Sequence, residues 1–420
     1  MERIKFAFRS DESDPMPLPI ECHPQNVMIN IAKGNKALTV YRNLIPSLGC
    51  HYAGIRYEGS IQYCIARLFE NVDEAIRIYG QLVRCEHPNI FQPLDIWVCE
   101  DKVKWCEQEE ISEMEKIFKA CISFPLIDGA LTDVPKEEIF LVEKDGTQSV
   151  AYGFTSQGST IFCDLFSAVD HINGMYEEAA DTTICSLKLD SKRILYNKVA
   201  EGEYRVFIWL DFYSNEEEKM KYKKVPGGKP TIDDMRSANW ANIATYIRSI
   251  WKSFKVTPNE ELKQLSILLS RKLPKGVKYQ RYDDLLWHPG LWTIHTKIHF
   301  IRDVFWYFDG IKDNEDILKS KNSLGLSAVI SKLGFRNRDY NLYDSIMFLR
   351  KKVVAHQDSS YQTYKGHKDD VGIDKTTIGI FLQKAAPNCI IQLVKEIRQL
   401  NWIERSPLTA SETLYVKPSK

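Results

Sequence analysis

The sequence lacks several features that would assign it to a class at once. No stretch approaches the ~20 uninterrupted apolar residues that a membrane-spanning helix needs. The formal net charge is zero, with 56 basic and 56 acidic residues, which argues against a uniformly basic, histone-like nucleic-acid binder. The first residues, MERIKFAF, show no basic start followed by an apolar run. We therefore expect no signal peptide, no membrane partner and a cytoplasmic protein.

Paired cysteine motifs are also missing. The chain has ten cysteines, all but one of them before residue 186, and no C-x-x-C pair. Cysteine and histidine lie close together at Cys22–His23, Cys50–His51 and Cys85–His87, which suggests a zinc site as an alternative. The ligand spacings of zinc modules are absent, however. We expect no metal and no cofactor, with the cysteines reduced and serving as small core residues.

Residues 1–212 combine strand and helix patterns. Asp73–Val83 opens with an N-cap type of residue, Asp73, and repeats apolar residues at helical spacing, and Leu165–Ala179 has the same pattern less cleanly. Runs rich in β-branched and aromatic residues predict strands at 37–41, 94–99, 139–142, 183–189 and 204–210. We predict a mixed α+β domain over residues 1–212 that senses or binds a ligand or partner.

The composition changes after residue 212. Residues 213–230 are charged and then rich in Pro and Gly, which predicts a linker. Helical patterns fill residues 231–405, and residues 406–420 predict a flexible polar tail. The predicted helices cover 233–254, 259–273, 291–308 (apolar nearly all round, hence buried), 324–333, 341–355 and 374–400 with a kink at Pro387. The predicted fold class is α+β, with an all-α C-terminal part.

One segment of this helical part carries a candidate reaction chemistry. Arg350 and His356 lie six residues apart, which is about 120° apart around an ideal helix, and they converge if the helix loosens at its end or if a second subunit completes the pocket. Metal-independent RNA cleavage needs a base for the ribose 2′-OH and an acid for the leaving 5′-oxygen, and His serves near neutral pH. An Arg fork binds the scissile phosphate. Lys351 and Lys352 add positive charge for neighbouring phosphates, and Asp358 can pair with His356.

The segment Leu349–Asp358 (LRKKVVAHQD) resembles the Arg-x4-6-His signature of the HEPN superfamily, in its abortive-infection type. Ser323–Leu333 is similar to the short Ser/Leu-rich helix that precedes the motif in such proteins, and the resemblance covers roughly residues 285–405. Active members often have Asn or Asp after the Arg, where this chain has Lys351.

The resemblance implies an up-and-down helical bundle, commonly a homodimer, in which the Arg and His of two subunits share one cleft. It implies RNA as substrate, Arg350 and His356 as catalytic residues, and Lys351, Lys352 and Asp358 as substrate-binding residues. It also implies a toxin or antiphage effector, with a possible antitoxin or trigger protein as partner.

Two other functions stay open. The helical part fits a non-catalytic module that binds RNA or a protein, because a helix C-terminus favours Arg and His through its dipole alone. Arg42, Ser156 and the pair Glu201 and Glu203 occur in the order seen in arginine-type ADP-ribosyltransferases, an NAD-dependent alternative for the N-terminal part.

Two further patterns on the third predicted helix have a structural explanation. His295 and His299 share a face at i,i+4 spacing, and we expect them to be core histidines. Core packing or a dimer interface is likewise expected for Trp287, Trp292 and Trp306.

Overall fold

The fold is mixed α+β and consists of two compact units. The first unit comprises Met1–Glu86 and Gln92–Leu126, and the second comprises His87–Phe91 and Ile127–Lys420. The computed structural model describes residues 27–45, 48–99, 104–105, 118–145, 147–178, 193–210, 231–272, 281–310, 324–327, 330, 341–350 and 375–399.

The first unit is built on an antiparallel sheet. Its strands are β1 (Val27–Lys33), β2 (Lys36–Ile45), β3 (Cys50–Tyr57), β4 (Ser60–Phe69), β5 (Asp95–Val98), β6 (Lys104–Trp105) and β7 (Ala120–Pro125). They pair in the order β5-β7-β4-β3-β2-β1-β6, and every pair is antiparallel. Helix α1 (Val72–Arg84) follows β4 and packs on the sheet. Asn71 caps this helix, because its side chain accepts hydrogen bonds from two backbone N–H groups of the first turn.

Alternation of side chains places the core of this unit on one face of the sheet. Ile31 of β1 pairs with Leu38 of β2, and Ile29 pairs with Val40, and all four side chains are buried. Residues two apart on a strand face the same side, so these positions form a continuous apolar layer. Trp97 is buried in the same cluster.

The second unit contains two three-stranded sheets. In one, β10 (Gln148–Phe154) pairs antiparallel with β9 (Phe140–Asp145) and parallel with β13 (Val256–Pro258). In the other, β11 (Ile194–Ala200) pairs antiparallel with β12 (Glu203–Ile208) and with β8 (Gly129–Ala130). The helices are α2 (Lys136–Ile139), α3 (Ser156–Glu178), α4 (Ile232–Ser253), α5 (Glu260–Ser270), α6 (Arg281–Leu286), α7 (Ile294–Gly310), α8 (Leu342–Phe348), α9 (Lys375–Ala385) and α10 (Cys389–Gln399).

A series of aromatic rings forms the centre of this unit. It runs from Phe140 and Phe154 on the strands through Phe162 and Phe166 of α3 to Trp240 of α4, with successive ring centroids 5.2, 4.6, 6.2 and 6.0 Å apart. Helix α3 can approach the last residue of α2, directly before β9, because it carries glycine near its start. A Cβ atom on Gly158 would lie 2.0 Å from the carbonyl oxygen of Ile139.

A buried polar network joins the helices of the second unit. Glu261 of α5 forms an ion pair with Lys297 of α7, and the two side chains are 2% and 5% exposed. Gln383 of α9 donates a hydrogen bond to the same carboxylate at 3.0 Å. Asn259 donates to Gln383 at 2.8 Å and to the backbone oxygen of Tyr152 in β10 at 3.0 Å. Three helices and a strand are thus tied together by groups that cannot be left unpaired.

The chain divides at a different place from the predicted one. The first unit ends at Leu126, whereas we expected an α+β domain to residue 212. Strands β8 to β12 pack with the helices of the second unit, because α3 lies against both β10 and β12. The sequence shift near residue 212 marks a change in secondary structure within one unit. The predicted linker, 213–230, and the predicted tail, 406–420, lie outside the described residues.

Most predicted elements within the described residues are present. Strands occur at four of the five expected places, and 183–189 is not described. The helix predicted at 165–179 begins nine residues earlier, at Ser156. The long terminal helix is two helices, α9 and α10, because Pro387 between them lacks the N–H that a continuous helix needs. Among the described helices, none combines the length and hydropathy that a membrane crossing requires.

Replacing Lys297 should destabilise the protein strongly. In Lys297→Met the carboxylate of Glu261 stays buried without its counter-ion, and we expect the free energy of unfolding to fall by about 3–5 kcal/mol. Urea denaturation of the full chain measures this. Lys263→Met is the matched control, since Lys263 forms an exposed 4.0 Å pair with Glu260 on α5, the helix that carries Glu261, and should contribute about 0–1 kcal/mol. Equal losses in the two variants would contradict the importance of the buried pair.

His288 should make the protein sensitive to acid. Burial lowers the pKa of His288 to about 3, and its Nδ1 accepts a hydrogen bond from the N–H of Gly290 at 3.1 Å. Below pH 6.5 the histidine takes up a proton in the unfolded chain, whereas in the folded chain it stays neutral until about pH 3. The free energy of unfolding therefore falls as the pH falls from about 6.5 towards about 3.

The variant His288→Asn keeps an acceptor for Gly290 and removes this proton. By pH 4 the wild type should have lost about 1–3 kcal/mol more than the variant, allowing for the partial exposure of the ring. Urea unfolding at several pH values gives the two slopes. Parallel pH dependence in the two proteins would show that His288 does not titrate in this way.

Candidate functional site

Arg350 lies at the end of a short helix whose limits follow from the sequence. Asn341 caps α8 by accepting a hydrogen bond from the N–H of Asp344 at 2.7 Å. Leu342, Ile346 and Leu349 are fully buried, as their spacing predicts. At Leu349 and Arg350 the backbone widens into a π-turn. Such turns occur frequently at functional sites, and this one coincides with the first residue of the Arg-x5-His motif.

The guanidinium of Arg350 lies against helix α7. Its Cζ is 5.8 Å from the centroid of the Phe305 ring, within the range of a cation–π contact. Phe305 is buried and Arg350 is partly exposed. Helices α7 and α8 pack against each other, so the contact joins the motif helix to its neighbour. No sequence signal links Phe305 to the arginine, because 45 positions separate the two residues.

Four further residues of the motif lie outside the described residues, namely Lys351, Lys352, His356 and Asp358. The convergence of Arg350 with His356 therefore stays a prediction. The apolar face of the motif helix is confirmed up to Leu349.

Helix α7 has an exposed face that the sequence analysis missed. The helix was expected to be buried because it is apolar nearly all round, and this expectation is wrong for one of its faces. One helical face carries His295, His299, Arg302 and Trp306, at positions i, i+4, i+7 and i+11. His299 is half-buried and the other three side chains are exposed. We refer to these four residues as the α7 stripe. We expected both histidines to lie in the core, but His295 is exposed and His299 is only half-buried. Core packing holds for Trp287 and Trp292, whereas Trp306 is 59% exposed.

A second group of titratable side chains surrounds α3. The rings of His87 and His171 lie 5.1 Å apart, and His87 Nε2 is 3.3 Å from the hydroxyl of Ser167. Burial, reinforced by His171, lowers the pKa of His87 to about 4. Burial also raises the pKa of Tyr282 to about 12. Both groups are therefore neutral at pH 7. The N–H of Asn89 donates to His87 Nδ1 at 3.1 Å, and the contacts of His87 with Ser167 and His171 hold this segment on α3.

Most of the cysteines within the described residues lie in the core, as expected of small core residues, while Cys99 and Cys163 are half-buried. The buried ones are Cys50, Cys64, Cys85, Cys121 and Cys389. Burial raises the pKa of the Cys85 thiol to about 11, which keeps it protonated. Within the described side chains, no group of three or more His, Cys, Asp or Glu residues could hold a metal ion.

The residues of the ADP-ribosyltransferase alternative fall in different units. Arg42 is an exposed residue of β2 in the first unit. Ser156 begins α3, and Glu201 and Glu203 flank the turn between β11 and β12, in the second unit. The side chains of Ser156, Glu201 and Glu203 are all exposed. Their positions are those of a helix start and a hairpin turn, where such residues are common.

Comparison with known proteins does not assign a family. The chain matches no protein-family model and no curated protein. Among solved structures, a crystal structure of Rad53 residues 1–466 in complex with AMP-PNP is similar over 61% of this chain, at 14% sequence identity and a TM-score of 0.33. The chain spans about 65% of the length of that structure. A likeness this distant carries no conclusion about the present site.

The contact between Arg350 and Phe305 should be measurable. We expect a double-mutant cycle with Arg350→Met and Phe305→Leu to give a coupling of about 0.5–1 kcal/mol in the free energy of unfolding, because the cation–π contact exists only when both side chains are present. The single variants and the double variant are compared by urea denaturation. Strictly additive effects would show that the two side chains do not stabilise each other.

Proposed function

We propose that the helical part of the second unit is a HEPN-type, metal-independent endoribonuclease that works as a toxin or antiphage (abortive-infection) effector. The observation that supports this best is the placement of Arg350, the first residue of the Arg-x5-His motif. The Arg350 side chain is partly exposed although its Nε is buried, it contacts the ring of Phe305, and it lies where α8 widens into a π-turn. A partly exposed cation that is restrained by a neighbouring ring suits the binding of a phosphate.

The proposed reaction assigns one role to each motif residue. Arg350 binds the scissile phosphate, and Lys351 and Lys352 attract the neighbouring ones. His356 takes the proton of the ribose 2′-OH or supplies one to the leaving oxygen. The 2′-oxygen forms a bond to phosphorus, the bond from phosphorus to the 5′-oxygen breaks, and the 5′-oxygen receives a proton. The products are a 2′,3′-cyclic phosphate and a 5′-hydroxyl, and no metal takes part.

The proposed bundle includes α7, α8, α9 and α10. Helix α7 packs against both α8 and α9, and α10 packs on the 3₁₀ turn Pro289–Leu291 that precedes α7. In the proposed homodimer the Arg350 and His356 of two subunits share one cleft. An acid and a base can then come from two copies of the same residue, one for the 2′-OH and one for the leaving 5′-oxygen.

A non-catalytic binding module is the second candidate. It is favoured by the same contact, since a guanidinium that stacks on the chain's own Phe305 also serves stability. Lys351, in the position where active HEPN members often have Asn or Asp, points in the same direction. In this case Arg350 and His356 bind RNA or a protein without cleaving it.

His356→Ala should abolish RNA cleavage by the purified full chain. Loss of a general acid–base catalyst lowers the rate by roughly 10²–10⁴-fold. Cleavage of single-stranded RNA in the presence of EDTA, with 2′,3′-cyclic phosphate ends on the products, is the measurement. Arg56→Ala, which changes an exposed arginine in the first unit, should cleave as the wild type does.

Two outcomes would reject the nuclease. One is cleavage by His356→Ala at the wild-type rate, and the other is RNA binding by the wild type with no cleavage under any condition that permits binding. The second outcome would support the binding module. An oligonucleotide with deoxyribose at the scissile position should stay intact, because it lacks the 2′-OH.

A further inference from the structure

Trp306 is an unusual residue in this protein. Six other tryptophans with described side chains are buried, namely Trp97, Trp209, Trp240, Trp251, Trp287 and Trp292, while Trp306 is 59% exposed. Large aromatic side chains are usually withdrawn from water, so an exposed one points to a binding surface. The other large apolar residues of α7, from Ile294 to Phe305, are buried.

The surroundings of Trp306 suit an anionic ligand with a flat aromatic group. Arg302 lies one helical turn earlier on the same face, and its side chain is 44% exposed. Its neighbour Asp303 is 3.5 Å away, a surface contact that contributes little and leaves the guanidinium accessible. Arginine beside an exposed aromatic ring is the combination that single-stranded nucleic acid binding uses, with phosphates on the cation and bases on the ring.

The α7 stripe is also continuous with the motif. The Trp306 ring centroid lies 5.3 Å from that of Phe305, in an edge-to-face arrangement. The same Phe305 ring supports the guanidinium of Arg350 at 5.8 Å. A nucleotide held at Trp306 would therefore lie next to the place where Arg350 would bind a phosphate.

We propose that Trp306 stacks on a base of single-stranded RNA and that Arg302 binds an adjoining phosphate, so that the α7 stripe positions the strand at Arg350. The inference rests on the proposed RNA-directed function and adds the residues that hold the strand beside the motif. A second copy of this chain is the competing occupant. An isologous contact centred on this stripe would bring Arg302 close to its own copy with no phosphate between the two, unlike the proposed RNA cleft at Arg350, and like charges disfavour this.

Binding of a labelled RNA to the full chain tests the inference. The probe is a fluorescein-labelled, mixed-sequence single-stranded RNA of roughly twelve nucleotides, within the usual site size for such contacts, and binding is followed by fluorescence anisotropy. The proteins carry His356→Ala so that the probe stays intact. Adding Trp306→Ala should weaken binding roughly five- to hundredfold, because one stacked base is lost. Trp306→Phe, which retains an aromatic face, should bind more tightly than Trp306→Ala.

Two further variants separate stacking from general effects. Arg302→Met should lower the slope of log affinity against log salt concentration by about 0.7, the value for one phosphate contact on a single strand. Ile267→Ala removes an equally exposed apolar side chain from α5 and should bind RNA as its parent does.

The outcomes distinguish this inference from the proposed function. If Trp306→Ala binds as its parent does while Arg350→Met loses binding, the α7 stripe is not the RNA site and the proposed function stands. If the His356→Ala protein binds no RNA, both this inference and the proposed function are overturned. If Trp306→Ala loses RNA only because sedimentation shows a dimer becoming monomer, the stripe is a subunit interface and the inference is wrong. Loss of binding with an unchanged sedimentation coefficient supports it, whether or not cleavage is observed.

Discussion

The buried ion pair between Glu261 and Lys297 constrains the second unit more than any other contact described above. Removing two charges from water costs several kcal/mol for each ion, and the attraction repays this only when both groups keep their partners. Gln383 supplies a further donor to the carboxylate. Burial raises the pKa of Glu261, and Lys297 opposes that rise. Helices α5, α7 and α9 can therefore move relative to one another only by breaking a network that water does not reach.

The same constraint fixes which way α7 faces. Lys297 points inwards and pairs with Glu261. The apolar side chains of Ile298, Ile301 and Val304 are buried on the inner side of the same helix. The residues at the opposite angle then face outwards. Close packing removes any freedom to rotate, since a Cβ atom on Gly379 of α9 would lie 2.2 Å from the side chain of Ile294. The exposure of Trp306 is thus a consequence of a buried salt bridge nine residues away.

The sequence predicted local structure better than it predicted packing. Helix caps such as Asn341 and breaks such as Pro387 act within a few residues, so reading the sequence along the chain finds them. Strand β13 was missed, because Val256–Pro258 is too short to show alternation and pairs with β10 about a hundred residues earlier. The division at Leu126 was missed for a related reason, since the pairing of α3 with distant strands leaves no mark on composition. The face of α7 was missed because a mean apolar character hides one polar stripe.

The candidate site shows the same limit in chemical terms. The motif itself locates Arg350, but its partner Phe305 comes from a helix 45 positions earlier, and only the packing of α7 on α8 brings them together. That contact changes how the arginine is to be understood. Contact with Phe305 restrains the Arg350 side chain, and under the proposed function less side-chain entropy would be lost when a phosphate binds. The exposed Trp306 contacts the same ring, so the proposed phosphate site and the proposed stacking site share one buried phenylalanine.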